Sequence, residues 1–239
     1  MTKSPRGANR KTAIIVGVLF IIGTVAASLS IVFTGPILDD PDYLLKVSAN
    51  ENQIIIGALL VLIMGLALAM VPVVMFPILK KHNRALALGY VVFRGALETV
   101  TSIAFVSSLL LLIPLSQEYV KAGAPDASGF QTLGTLLLEA DFQINPILKI
   151  VFSLGALMFY YLLYQSKLIP RWLSGWGLIG ATLHLAAGLL VMFGSLTEFP
   201  ILGIFWDLPI ALQEMVMAIW LIVKGFNSSA IASGSVKQK

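Results

Sequence analysis

From Gln53 to Leu79 the chain reads QIIIGALLVLIMGLALAMVPVVMFPIL, without one charged side chain. A helix needs about 20 apolar residues to cross the hydrocarbon core of a bilayer, and this run exceeds that. A strand of a membrane barrel would instead alternate apolar and polar residues over about 10 positions. Lipid offers the backbone no hydrogen-bond partners, so a spanning segment must pair its own amides, as a helix does. The stretch predicts a membrane helix, and the rest of the chain is best read from it.

On either side, similar runs predict further spans. In chain order the six cover about 13–34, 53–79, 85–114, 145–165, 172–196 and 203–224. The fold class expected is an all-α integral membrane protein, a six-transmembrane-helix bundle with short interfacial helices in its outer loops. Residues 13–226 form one membrane domain, between a basic tail over 1–12 and a disordered, small and polar tail over 227–239. The composition agrees. Hydrophobic residues make up 58% and charged ones 12%, against roughly 25% charged in soluble domains. A soluble fold with so few charges would expose large apolar patches.

The basic residues predict orientation. Lys3, Arg6, Arg10 and Lys11, the turn with Lys80, Lys81 and Arg84, the turn with Lys167 and Arg171, and the end with Lys224, Lys237 and Lys239 all fall on one side. The opposite loops hold Lys46 and Lys121 with most of the acids. Lys and Arg near span ends favour the cytoplasm, which predicts an N-in/C-in arrangement in the cell (cytoplasmic) membrane. The basic face suits anionic lipid headgroups. That explains the net charge of +4 without a nucleic-acid partner, and none is expected. A cleavable signal peptide is the rival reading of span one, with small residues from Gly23 to Ser28. The run continues through Ile31, Val32 and Phe33, which favours a retained span.

Some local features punctuate the loops. Gly35 and Pro36 are expected to end span one. Asp40 and Pro41 are expected to cap and open a helix at Tyr43-Leu44-Leu45. Calcium binding by Asp39, Asp40 and Asp42 is disfavoured because the EF-hand spacing is missing. A loop of about 30 residues is expected between Pro114 and Asn145-Pro146, with Phe130 to Phe142 lying along the outer surface as an interfacial helix.

Ionisable residues within the hydrocarbon usually face a bundle interior or a wet cavity. Arg94, Glu98, Lys149, His184 and Glu214 all fall there. At about 1.5 Å per residue, Arg94 lies roughly 13 Å from the inner edge, Glu98 about 20 Å and Glu214 about 15 Å. Arg94 and Glu98 are four apart and can pair. Depth matches Arg94 with Glu214, and Glu98 with Lys149 or His184. Tyr90, Arg94, Glu98 and Ser102 form one stripe. Asp141, Asn145, Lys149 and Ser153 would form a second if their helix began early enough. Asp207 and Glu214, seven apart, mark a third. These stripes predict one shared polar interior, supported by Tyr90, Ser102, Asn145, Ser153 and Asp207. Lys149 is the weakest candidate, since its long stem can reach the outer surface; Arg94 has the same route to the inner surface, and a lone His184 more often packs with a hydrogen bond than binds a ligand. A glutamate is too short to escape from such depth. Each glutamate must then be paired or protonated.

Other chemistry is not indicated. There is no cysteine, no H-E-x-x-H, no G-x-S-x-G and no phosphate loop. No catalytic residue, metal or cofactor is expected.

Several stretches resemble the bacterial integral membrane family catalogued as domain of unknown function 4386. They are Phe76 to Leu88, Phe93-Arg94-Gly95-Ala96-Leu97-Glu98, Tyr161 to Leu173, Gln213-Glu214 and Trp220 to Asn227. The resemblance implies a six- or seven-span membrane protein with no assigned activity, and it supplies no substrate or functional residue. The residues themselves point first to binding or transport of a small solute, ion or proton. The alternative is a structural or regulatory membrane subunit whose ion pairs only hold the bundle. An intramembrane lipid-modifying enzyme using His184 comes third.

Overall fold

The computed structural model describes residues 5–123, 127–195 and 200–231. They form α1 (Pro5–Leu38), α2 (Tyr43–Ala49), α3 (Glu51–Leu79) and α4 (Arg84–Tyr90), then a π-helical turn (Val91–Leu97) that runs directly into α5 (Glu98–Ala122). After these come α6 (Ala127–Ser166), α7 (Arg171–Met192) and α8 (Pro200–Val223). Six helices are long and apolar enough to cross a membrane. Residues 1–4, most of the 227–239 tail and the Asp141 side chain lie outside the described set. The tail's first residues are ordered: 228–231 form a helical turn and Ala230 is buried in the core.

Helix α1 packs between α3 and α8, α6 between α5 and α7, and α7 against α8. The main apolar core joins Ala13, Leu79, Ala87, Leu173 and Leu221, so these span ends share one end of the bundle. A smaller core at the other end joins Ile37, Val47, Ile54, Leu109 and Leu112.

Three expected helix ends are corrected. Pro36, Pro114 and Pro146 all lie inside helices. A proline removes one amide donor, and in a membrane helix neighbouring side chains can satisfy the carbonyls around the break. Gln53 donates to the carbonyl of Phe33 at 2.8 Å, and Ser116 to that of Ile113 at 2.7 Å. The expected 30-residue loop is therefore helical on both sides of a short connection, and the 130–142 stretch is the start of α6 rather than a separate surface helix. The spans that include α5 and α6 have 39 residues each, which is about 58 Å of helix, well beyond a ~30 Å hydrocarbon core. The C-terminal half of α5 packs along the first half of α6, with Ser108 donating to the carbonyl of Leu137 at 3.1 Å.

The cap of α2 also differs from expectation. Asp42, not Asp40, is the N-cap, and Pro41 precedes the helix. Asp40 accepts from the Asp42 amide at 2.9 Å and pairs with Lys46 at 2.5 Å. The Lys46 ammonium, with the Asp42 amide, holds the Asp40 carboxyl below the usual carboxylate range. Asn83 caps α4, accepting from Leu86.

At the inner-core end, Arg10 of α1 closes α8. Its guanidinium donates to the carbonyls of Leu221 at 3.0 Å, Ile222 at 2.5 Å and Val223 at 3.2 Å. These are the carbonyls that a helix C-terminus leaves open, at its negative end. Arg10→Gln should therefore cost about 1–2 kcal/mol, read as a lower melting temperature in detergent. An unchanged melt would show that the cap contributes nothing.

Candidate functional site

The stripe Tyr90, Arg94, Glu98 and Ser102 explains the π turn. In an α-helix each step of four residues overshoots a full turn by about 40°. Three such steps would rotate Ser102 well away from Tyr90. A π turn bonds i to i+5 and is wider, so it takes up that drift. All four residues are buried on one face. The π segment is also pressed from two sides. Pro72 of α3 lies against Gly95, and a Cβ placed on Gly155 of α6 would sit 3.1 Å from the Arg94 backbone nitrogen.

Arg94 holds two glutamates. Its guanidinium lies 3.1 Å from Glu98 on its own face and 3.1 Å from Glu214 of α8. The side chains are 2%, 6% and 13% exposed, respectively. The Phe152 ring of α6 stacks beneath the guanidinium, 4.2 Å from its centroid. A planar fork can bridge two carboxylates in a way that a lysine cannot. The formal sum is one cation against two anions, in a setting where charge is costly.

Lys149 and His184 form a second group. The Lys149 ammonium lies 2.5 Å from Asp207, and His184 Nδ1 lies 2.8 Å from the other oxygen of the same carboxylate. The depth match of Glu98 with Lys149 or His184 is thus corrected: Asp207 receives both. Helix α8 already covers Asp207, two turns before Glu214, and aims both acids inward. Asp207 is 34% exposed, so this group opens towards the bundle end while the Arg94 triad is enclosed. Phe152 lies between the groups, its ring 4.9 Å from that of His184 and edge-on to it.

The supporting residues separate. Asn145 is exposed and stands apart from both groups. Ser102 donates to the Glu98 carbonyl at 2.8 Å. Ser153 is fully buried, and its hydroxyl has no protein partner. Tyr90 stacks on Phe159, which tilts onto Tyr160. The hydroxyl of Tyr90 is also buried without a protein partner, while that of Tyr160 meets the Gln213 side chain. Buried polar atoms of this kind usually meet water or an ion. Tyr160 and Gln213 were missed in the sequence. Gln213 sits beside Glu214 and donates to the Leu173 carbonyl at 3.0 Å, but an uncharged polar residue on an apolar helix gives a weak signal.

Glycines set how closely α7 approaches. A Cβ at Gly177 would enter the Tyr160 ring, and one at Gly180 would come 3.0 Å from the Ile210 backbone. Both positions therefore need glycine for α7 to pack this closely. Among the described residues, no group of His, Asp and Glu is placed to hold a metal ion.

No curated protein and no solved structure matches the chain. A family model does match, over residues 15–225, which takes in all six candidate spans almost entirely. With its all-helical fold and its buried Arg94 ion pairs, this chain belongs to the family described as Domain of unknown function (DUF4386).

Proposed function

We propose that the protein binds a proton or a small cation at the Arg94–Glu98–Glu214 triad and moves it across the membrane, alone or with a small solute. One observation carries this reading. Two buried carboxylates share one guanidinium, which leaves one negative charge in excess inside an apolar bundle. A proton or cation is the simplest group that neutralises it. The buried, unpartnered hydroxyl of Tyr90, on the same face as Arg94 and Glu98, gives such a guest a polar neighbour. Asp207, more exposed and paired with His184, is suited to pass it from the bundle end. The orientation proposed is N-in/C-in in the cell membrane, on the asymmetry of the basic residues.

A second reading has its own support. Arg94 and Glu98 are almost completely enclosed, as a structural clasp would be. The enzyme reading rests on the His184–Asp207 pair alone.

Flux decides between transport and clasp. Protein in liposomes with a trapped pH dye, under an imposed membrane potential, should move protons or, with a cation dye, Na+ or K+. Glu98→Gln and Glu214→Gln should each lower the rate at least about tenfold, the effect of losing about 1.4 kcal/mol of site free energy, while the protein stays folded. Wild-type rates equal to those of empty liposomes for every one of these ions would leave only the clasp.

A further inference from the structure

The end of the bundle that carries the basic turns holds a cavity of about 580 Å3 between the α6–α7 turn and the end of α8. Lys167, Arg171 and Lys224 line it, with Trp220, Phe226 and Asn227, and no lining residue is acidic. We propose that this cavity is a binding site for the phosphate headgroup of an anionic phospholipid. The inference concerns a different site from the triad and stands independently of transport.

Four features support it. Three cationic residues line one concave volume, and the Arg171 guanidinium is steadied over the Tyr164 ring at 5.2 Å. Arg171 opens α7, so the positive end of that helix points the same way. The opposing dipole is quenched, because the last carbonyls of α8 already accept from Arg10 and present little negative potential to a phosphate. The walls are also set for a lipid. Asn227 ties the end of α8 to the turn, its backbone N–H donating to the Leu168 carbonyl at 2.9 Å. Trp220 packs edge-on against the exposed Trp172, at 6.3 Å. Such rings sit at the headgroup level, with acyl chains below, and basic pockets between spans suit anionic headgroups.

Lys167 adds a diagnostic. Its φ is +57°, among the left-handed conformations that glycine adopts without penalty. It ends α6, donating its amide to the Leu163 carbonyl, at a position where glycine is the common choice. A lysine here strains the backbone, and its side chain lines the cavity. Lys167→Gly thus removes the cation while relaxing the backbone, so it separates binding from folding.

The full chain in neutral detergent is titrated with phosphatidylglycerol or phosphatidylcholine, and bound lipid is read by native mass spectrometry. Phosphatidylglycerol should bind at least about tenfold tighter. Lys167→Gly and Arg171→Gln should each weaken it about fivefold, the effect expected of one cation, and Lys167→Gly should melt no lower than wild type. Lys80→Gln with Lys81→Gln, outside the cavity, should leave binding unchanged. Equal affinity for the two lipids overturns the site. So does a Lys80/Lys81 effect as large as that of Lys167→Gly, which would mean a diffuse basic face. Displacement of the lipid by millimolar inorganic phosphate would assign the cavity to a soluble phosphate instead.

Discussion

Replacing Arg94 with glutamine is expected to cost about 3–5 kcal/mol, the usual result of stranding buried charge by removing its partner. The loss is large because two partners are stranded at once. Glu98 and Glu214 each lie 3.1 Å from the same guanidinium. Phe152 loses the cation on its face as well. The variant Glu98→Gln should be much milder, since Arg94 keeps Glu214 and the remaining pair is neutral. Replacing Arg94, Glu98 and Glu214 together by glutamine should recover at least half of the loss, because no charge is left unpaired. Thermal melts of the four proteins in one detergent form the cycle, and contacting groups are expected to be non-additive. An Arg94→Gln melt within error of wild type would mean that the carboxylates are not held by Arg94.

The second large effect concerns the seam between α1 and α8. A Cβ at Gly17 would sit 2.6 Å from the carbonyl oxygen of Ala218 and 2.7 Å from Ile222 Cγ1. Ile222 can turn aside, but the carbonyl belongs to the helix and moves only if α8 does. Gly17→Val should therefore cost about 3 kcal/mol, the upper end of overpacking penalties. It should also loosen the Arg10 cap nearby, so combining it with Arg10→Gln should cost less than the sum. A Gly17→Val protein that melts like wild type would show that the helices separate there without loss.

Much of this was legible in the sequence because lipid restricts the options. Charge-free runs such as 53–79 can only be helices, and the Arg94–Glu98 pair follows from i, i+4 spacing. Glu214 was placed by depth alone. The mistakes have physical causes. Pro36, Pro114 and Pro146 read as helix ends under rules from water, where freed carbonyls are solvated, yet here Gln53 and Ser116 serve carbonyls near two of them. Asp207 has only a supporting role in the sequence reading, because depth pairs Glu98 rather than Asp207 with Lys149 or His184; α8 turns Asp207 onto both. The π turn was missed although a signal existed. Four polar residues in strict i, i+4 register cannot all face inward on a straight α-helix. The second stripe does not hold at Asn145, which is exposed on α6 beside Pro146.

The central claim is that the triad carries one neutralising proton or cation per chain. Infrared spectroscopy of the protein in lipid tests it most directly, because a protonated carboxylic acid has a carbonyl band distinct from that of a carboxylate. In buffer without small metal cations, wild type should show that band. Glu98→Gln or Glu214→Gln should abolish it, since one carboxylate then balances Arg94. A wild-type spectrum with both glutamates ionised, unchanged by Na+, K+ or moderate acidification, would contradict the account and leave the triad with uncompensated charge.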